Sequence, residues 1–392
     1  MPMHKILIAI FYASALTSCT EQEAGKNTAG STAKDKSNMQ EGKDYIILKR
    51  FRLEDKQGFS QPIEASSFVL PANWKVNGNV EWNGMNKCIP EIVQASMQAT
   101  SPDGEYELTV FPVTQFDWSD DPVYLDAMQR GFNMHSCNIA QPQDAAGYIR
   151  SALAPYLKAQ VKSAGIITAL QQQMDAGAAK MTQQARSAGN NAYSHSGSAA
   201  EGILQFSDGK EGMAFCTLMQ TIVTLPGTQG QMAHTFQCYV SMRVVLKYTN
   251  GNAVMARKIL STFFTSARIN PQWLNAIQNM YIKIGQNAQD ETWKQIQIAH
   301  AAQQEISNNI VRSWEARNKT AADNNTMGTD GFGQYLRGVE TYTDGSGNSV
   351  ELTSGYGNAW TKGDGSYLLT THAAFDPNVE LGGTQSWEKL TH

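Results

Sequence analysis

The alternation of apolar and polar positions predicts β strands at four places in the first third of the chain. They fall at Tyr45–Leu48, Ser67–Leu70, Ile92–Met97 and Tyr106–Phe111. The sequence Ser-Pro-Asp-Gly at 101–104 separates the last two strands, and these residue types favour a tight turn. The last two strands are therefore predicted to form a hairpin.

Helices are predicted to interrupt the strands. Asp121–Pro122 combines a capping side chain with a proline, which suits the first turn of a short helix that ends near Gly131. Residues 144–184 are rich in Ala, Gln, Leu and Met, and they predict a longer helical segment that Pro155 kinks or interrupts. The Ser, Gly and Asn residues of 187–198 predict a loop after it.

Strands return after that loop, and a helix follows them. Apolar residues predict strands over 202–206, 214–225 and 235–248, and Asn250–Gly251 predicts a turn. The buried stripe of the next helix is predicted to contain Val254, Ile259, Leu260 and Phe263. The order of these elements predicts an α+β fold, an antiparallel sheet with a helical insertion, over 45–268. This outline resembles the PsbP-like fold of small envelope and thylakoid proteins.

A helical segment is predicted to follow the α+β domain. Asn270–Pro271 predicts the start of one helix, which runs to about Gly285. A second helix is predicted from Asp290 to Arg317. Its apolar face is formed by Trp293, Ile296, Ala299, Ile306, Ile310 and Trp314. That face is predicted to pack on the folded domain, with a partner helix as the alternative occupant.

The last part of the chain predicts a small all-β meander. Strands are predicted over 336–342, 350–354 and 367–371, with glycine-rich turns between them. A unit of about sixty residues without cysteine has few means of independent stability, so we expect it to pack on the preceding helices. The span from Arg337 to Asn378 resembles a module of uncharacterised bacterial envelope proteins, which implies no activity.

Composition and charge favour a folded chain and exclude one class of partner. Hydrophobic residues make up 41% and charged residues 17% of the chain, which is ordinary for globular proteins. The 31 basic and 35 acidic residues give a net charge of −4. No basic cluster provides the field that phosphate binding requires, so nucleic acid is not an expected partner.

The N-terminal residues have the layout of a signal peptide. Lys5 precedes the apolar run Ile6–Leu16, which as a helix would be about 16 Å long, too short for a bilayer core of about 30 Å. The run ends in Leu16-Thr17-Ser18-Cys19, which resembles the lipobox of bacterial lipoproteins. The resemblance implies cleavage between Ser18 and Cys19, a diacylglycerol thioether on the Cys19 sulfur and an acyl chain on its α-amine. Two or three chains would hold the protein stably on a membrane.

The residues after Cys19 are expected to form a flexible tether, because they are polar and lack an apolar period. Thr20 stands where an aspartate favours inner-membrane retention in enteric lipoproteins. The resemblance therefore implies the outer membrane, facing the periplasm, with surface exposure as the alternative. The predicted organisation is a signal peptide over 1–18, the tether over 19–44, the α+β domain over 45–268, helices over 269–320, a linker over 321–333 and the β meander over 334–392.

With Cys19 assigned to the lipid, the other four cysteines suit an oxidising compartment. Cys88, Cys137, Cys216 and Cys238 allow three pairings, and free buried thiols are the alternative. A disulfide between Cys216 and Cys238 is predicted, because they lie on consecutive strands and become neighbours if the turn centres on Gly227.

No pattern in the sequence identifies a catalytic residue, a metal site or a cofactor. Ser194–Ser196 places two hydroxyls beside the His195 imidazole, but no third group orients it. His135 and Cys137 form a single pair, whereas a zinc ion needs about four ligands. The loop that begins at Asp344 lacks the glycine and the glutamate of a calcium-binding loop.

The aromatic residues of the C-terminal unit have two interpretations. Flat rings stack on sugars, which would make the unit a glycan-binding module, but small β units also build their cores from such rings. Exposure of Trp360 and Tyr356 on one face would support the glycan module, and their burial would remove it. The rings are those of Tyr342, Tyr356, Trp360, Tyr367 and Trp387.

The sequence as a whole predicts a lipid-anchored envelope protein that binds or scaffolds. Its expected partners are a membrane, through the lipid on Cys19, and an envelope protein, with a glycan as the alternative. An envelope hydrolase, with a site that is assembled only in the fold, is the competing class. A pocket that gathers two or more titratable groups would favour the hydrolase.

Overall fold

Two large, mostly antiparallel sheets, a two-stranded sheet and the helices packed on them form the part of the chain that the computed structural model describes. The described residues are 39–42, 44–84, 87–132, 137–228, 230–287, 339–381 and 386–391. The predicted signal peptide, most of the tether, the second helix at 290–317 and the linker lie outside them. Among the described residues, no helix has the length and apolar character needed to cross a membrane.

The elements alternate along the chain as an α+β fold requires. The strands are β1 (Tyr45–Asp55), β2 (Ile63–Pro71), β3 (Lys75–Trp82), β4 (Val93–Thr100), β5 (Tyr106–Val110), β6 (Thr114–Ser119), β7 (Asn138–Ile139), β8 (Gln160–Ile166), β9 (Tyr193–Gln205), β10 (Glu211–Pro226), β11 (Met232–Tyr248), β12 (Arg268–Ile269), β13 (Val339–Thr343), β14 (Ser349–Thr353), β15 (Asn358–Thr361), β16 (Ser366–Thr370) and β17 (Glu388–Lys389). The helices are α1 (Pro122–Ala127), α2 (Ala145–Tyr148), α3 (Ala154–Tyr156), α4 (Thr168–Ser187), α5 (Ala253–Ser266), α6 (Pro271–Asn287) and α7 (Pro377–Glu380). A 3₁₀ turn covers Ile89–Glu91, and π-helical turns cover Met128–Phe132 and Ile149–Leu153.

The larger sheet has the strand order β3-β4-β5-β11-β10-β9-β8. Strand β11 is long enough to pair with two strands on one side, with β6 along its first half and with β5 along its second half. Met242 lies between the two halves with a φ of 49°, and β11 carries a bulge there, because Met242 and Arg243 together oppose the single residue Cys216 of β10. The bend lets β6 and α1 lie beside one end of the sheet.

Both faces of the larger sheet are covered by helices. Side chains of alternate residues on β10 point to opposite faces, so Phe215 packs beneath α4 and α5 while Ala214 packs against α2. The first face holds the largest apolar cluster, to which α4 contributes Met174 and Met181. Burial of one large apolar side chain stabilises a fold by roughly 1.5–3 kcal/mol, so this cluster is a main source of stability.

The smaller sheet joins the two ends of the described chain. Its order is β12-β2-β1-β16-β15-β17, and β16 pairs with β1 from Tyr45 to Lys49. Leu48 of β1 shares one apolar cluster with Leu352 and Leu369 of the C-terminal strands. Within the meander predicted over 334–392, β15, β16 and β17 thus extend the sheet of the N-terminal strands, whereas β13 and β14 form a separate two-stranded sheet. Its predicted packing on residues 290–317 falls outside the described residues.

Helix α6 is attached to the smaller sheet by a buried carboxylate. Asn270 caps the helix, since its Oδ1 accepts from the backbone N–H of Gln272 at 3.0 Å. The indole Nε1 of Trp273 donates to Asp55 Oδ2 at the end of β1, at 2.9 Å. Trp82 donates to the same carboxylate from β3. The Asn270 cap and the first helical residue, Pro271, confirm the predicted helix start at Asn270–Pro271.

Other local predictions are confirmed or corrected. The hairpin around residues 101–104 is confirmed, because β4 and β5 pair across that turn. The helix predicted over 144–184 is wrong in its middle, where Gln160–Ile166 forms an edge strand beside β9. The loop predicted over 187–198 ends early, because β9 begins at Tyr193. The prediction that Val254 is buried is wrong, because its side chain is 75% exposed. Val254 lies about 200° around α5 from the buried Ala256.

Candidate functional site

A cavity of about 380 Å³ opens where four strands of the larger sheet end beside α1. We call it the strand-end pocket. Its polar lining consists of Asp117, Ser119, Asp121, Thr228, Thr235 and Gln237. Its apolar and aromatic lining includes Tyr124, Met128, Tyr193, Val223, Leu225 and Ala233.

Strand register places these residues on one face of the sheet. Asp117 of β6 lies opposite Gln237 of β11, and Ser119 lies opposite Thr235. Side chains two residues apart on a strand share a face, and directly opposed Cβ atoms lie about 4.5–5.5 Å apart. The polar groups are therefore neighbours because of the sheet, although about 120 residues separate β6 from β11 along the chain.

Asp117 is the buried charged group of the pocket. The residue is 4% exposed, and its Oδ1 accepts from Nε2 of Gln115 at 2.8 Å. Burial raises the pKa of Asp117 to about 6, and the hydrogen bond from Gln115 opposes that rise. Near neutral pH the pocket thus holds a carboxylate that has been taken out of water and has few protein donors.

Asp121 has the opposite environment, although it lines the same pocket. Its carboxylate accepts from the backbone N–H and the hydroxyl of Thr228, and it also caps α1 by accepting from the N–H groups of Val123 and Tyr124. The Thr228 N–H contributes most to a pKa of Asp121 that lies below its usual range. Asp121 therefore fastens the β10–β11 turn to α1, and its oxygens are occupied.

His195 lies on the same sheet face as the pocket, but away from it. His195 of β9 lies opposite Thr221 of β10, Thr221 lies opposite Gln237 of β11, and Gln237 lies opposite Asp117 of β6. Three strand spacings, about 14 Å, therefore separate His195 from Asp117. Burial lowers the pKa of His195 to about 4, and its Nδ1 lies 3.3 Å from the Thr182 hydroxyl. Ser194 and Ser196 alternate with His195 along the strand, so their side chains point to the other face.

The cysteine pairing differs from the prediction. Cys88 and Cys137 form the disulfide, while Cys216 and Cys238 are free and buried. Cys238 lies opposite Gln220, four residues along β10 from Cys216, so about 13 Å of strand separates the two positions. A disulfide needs Cα atoms within about 7 Å, which excludes the predicted Cys216–Cys238 bond.

Four of the five C-terminal aromatic rings are core residues, and the fifth, Tyr367, is half-buried. Trp360 is 5% exposed and Tyr356 is 8% exposed, and Trp360 packs edge-on against Phe375 in a small apolar cluster. Tyr342 and Trp387 are also buried. The glycan-binding interpretation required Trp360 and Tyr356 to be exposed, so their burial removes it.

Other chemistry that the sequence raised is not assembled in the described residues. His135 lies outside them, and they contain no group of three or more His, Cys, Asp or Glu side chains that could hold a metal ion. The loop at Asp344 is a hairpin turn, because the Asp344 carboxylate accepts from the backbone N–H groups of Ser346 and Asn348. The strand-end pocket does gather two carboxyl groups, Asp117 and Asp121, and this meets our criterion for a hydrolase.

Sequence patterns did not identify Asp117, and the reason is visible in β6. Phe116 and Trp118 are the apolar residues of this strand, so a period of two predicts that they point inward and that Asp117 points to solvent. Both faces of the strand are covered, however, and Gln115, Asp117 and Ser119 are all buried.

No protein-family model, curated protein or solved structure matches this chain.

Proposed function

We propose that this protein is a lipid-anchored envelope protein that binds a small ligand in the strand-end pocket. The observation that carries the proposal is a buried carboxylate, Asp117, on the wall of a largely apolar cavity. The cavity volume of about 380 Å³ lies within the range of about 300–1,000 Å³ that is usual for small-molecule sites. Apolar walls with few polar groups are also usual for such sites.

Binding accounts for the geometry better than hydrolysis does. A carboxylate that acts as a base must contact a nucleophile or a water, and a second group must stabilise the developing charge. Asp121 cannot supply the second role because four protein donors already occupy its oxygens. The Ser119 hydroxyl donates to the backbone oxygen of His234, so it is not hydrogen-bonded to Asp117. Hydrolysis remains the second candidate, and the presence of two carboxyl groups in the pocket, Asp117 and Asp121, is the observation that favours it.

The lipid anchor of the proposal rests on Leu16–Cys19 and on the short apolar run before it. A lipid on Cys19 and a tether to residue 44 would hold the pocket near the periplasmic face of the outer membrane. The disulfide between Cys88 and Cys137 is compatible with an oxidising compartment. An envelope protein that delivers or receives the ligand is the partner that we propose.

Replacing Cys19 should release the protein from membranes. We expect the wild-type protein to enter the detergent phase in a phase-partition experiment and Cys19→Ala to stay in the aqueous phase, because acyl chains contribute roughly 0.8 kcal/mol for each buried methylene. Cys238→Ala is the matched control, since it removes a buried free thiol and should still enter the detergent phase. Detergent-phase recovery of Cys19→Ala would contradict the anchor.

Filling the strand-end pocket should abolish ligand binding without unfolding the protein. N-phenyl-1-naphthylamine, an uncharged fluorescent probe, is expected to brighten on binding to the wild type and not to Ala233→Trp, whose indole would occupy the cavity. Ala179→Trp is the control, because Ala179 lies on the exposed face of α4. Equal brightening with all three proteins, at equal near-ultraviolet circular dichroism, would show that the probe does not use this pocket.

A further inference from the structure

We infer that the strand-end pocket takes an organic ammonium ion, an amine carried by a small apolar group. The inference rests on the proposed function, because it names the ligand class of the same pocket. It is carried by a buried carboxylate that has no cationic partner among the described residues, by two further acceptors in the lining and by a second carboxylate on the pocket wall.

The carboxylate of Asp117 has no cation among the described residues. Gln115 is its hydrogen-bond donor there, and no described Lys, Arg or His pairs with it. Arg130 pairs with Asp126 and His234 with Asp120. A buried carboxylate needs a cation or several hydrogen-bond donors, because an isolated buried charge is costly. Asp55 has several such donors, whereas Asp117 has the one from Gln115 among the described residues, and we infer that the ligand supplies the cation.

Two uncommitted acceptors line the pocket beside Asp117. Gln237 is its direct partner across the strands, and Thr235 lies two residues from Gln237 on the same face. Neither side chain is hydrogen-bonded to another described residue. A primary ammonium group has three N–H donors, so the Asp117 carboxylate, the Gln237 carbonyl and the Thr235 hydroxyl can each accept one.

The rest of the lining suits the apolar part of such a ligand. Val223, Leu225 and Ala233 form an aliphatic wall, and the rings of Tyr124 and Tyr193 line the same cavity. Tyrosine faces attract cations through the ring quadrupole. The cavity volume of about 380 Å³ favours a short chain or a single ring over a long acyl chain.

A second carboxylate on the pocket wall also favours a cation. Asp121 lines the same cavity as Asp117, and Asp120 precedes it in the chain. His234 offsets the charge of Asp120 only when it is protonated. A cleft whose walls carry one sign of charge concentrates ligands of the opposite sign and disfavours those of the same sign. An apolar carboxylic acid is therefore a poor occupant.

Three probes with the same carbon chain test the ligand class. We expect calorimetric titration at pH 7.5 to give a dissociation constant for hexylammonium that is at least tenfold lower than that for 1-hexanol, and no binding of hexanoate. Asp117→Asn should reduce the affinity for hexylammonium to that for hexanol. Asp126→Asn, which removes the same charge from an exposed position, should leave the preference of at least tenfold intact. At pH 5 the wild type should bind hexylammonium about tenfold more weakly, because protonation of Asp117 removes the charge.

The outcomes separate this inference from the proposed function. Equal affinity for hexylammonium and hexanol, or an unchanged preference in Asp117→Asn, overturns the ammonium class and leaves the pocket as a binding site. Tighter binding of hexanoate than of hexylammonium likewise overturns it. Failure of all three probes and of N-phenyl-1-naphthylamine to bind the folded wild type overturns both the class and the site.

Discussion

Cys88→Ala/Cys137→Ala is expected to lower the free energy of unfolding by about 4 kcal/mol. The disulfide closes a loop between residues that are 49 apart in sequence, and removal of a crosslink of that length restores this much chain entropy to the unfolded state. The bond also ties the 3₁₀ turn at Ile89–Glu91 to β7, which pairs with β6 beside Asp117. Because β6 carries Asp117, we also expect the double variant to bind a ligand in the strand-end pocket more weakly.

Chemical denaturation with and without a thiol reductant measures this effect. The reductant should destabilise the wild type by the same amount and should leave the double variant unchanged. Cys216 and Cys238 should not respond to reductant, and burial raises the pKa of Cys216 to about 12, so its thiol stays protonated and unreactive in the folded protein. Equal stability of wild type and double variant in the absence of reductant would contradict the assigned pairing.

The error in the predicted pairing has a definite physical source. Hairpin register depends on where the turn lies, and the Cys216–Cys238 prediction placed its centre at Gly227. The observed turn spans Gly227–Gln231, where the Gly227 N–H donates to the Gln231 carbonyl at 2.7 Å. A shift of two residues in the turn centre moves opposed positions by four residues, so Cys238 lies opposite Gln220 and not Cys216. A hydrophobic pattern locates strands but does not determine their turn to this accuracy.

Local features of the fold were predictable, whereas contacts distant in sequence were not. The hairpin at 101–104 and the capped start of α6 depend on turn and capping residues that are adjacent in sequence, and the structure confirms both. The pairing of β1 with β16 joins strands more than 300 residues apart, and their alternation alone cannot specify a partner. The strand-end pocket depends on the same kind of long-range pairing, between β6 and β11, so its residues could not be grouped from the sequence.

Asp117→Asn is expected to stabilise the protein by about 3 kcal/mol at pH 7.5. The folded protein holds the Asp117 proton up to about pH 6, whereas the unfolded chain releases it near 3.8. The folded state therefore binds more protons between these values, so stability falls as the pH rises through them and the full cost persists above pH 6. A difference of about two pKa units corresponds to about 3 kcal/mol at 1.36 kcal/mol per unit. Asparagine does not titrate, and its Oδ1 can still accept from Gln115.

The pH dependence distinguishes this electrostatic effect from a gain in packing. The advantage of Asp117→Asn should fall to about half at pH 5, where the folded wild type already carries the proton but the unfolded chain does not. Urea denaturation of both proteins at pH 5 and pH 7.5 measures the difference, with Asp126→Asn as the exposed control whose effect should be within about 0.5 kcal/mol. An advantage of equal size at both pH values would mean that Asp117 is not a destabilising buried charge. If the stability gain of Asp117→Asn is smaller at pH 5 and the variant does not bind ammonium, the Asp117 carboxylate lowers the stability of the protein and is required for ligand binding.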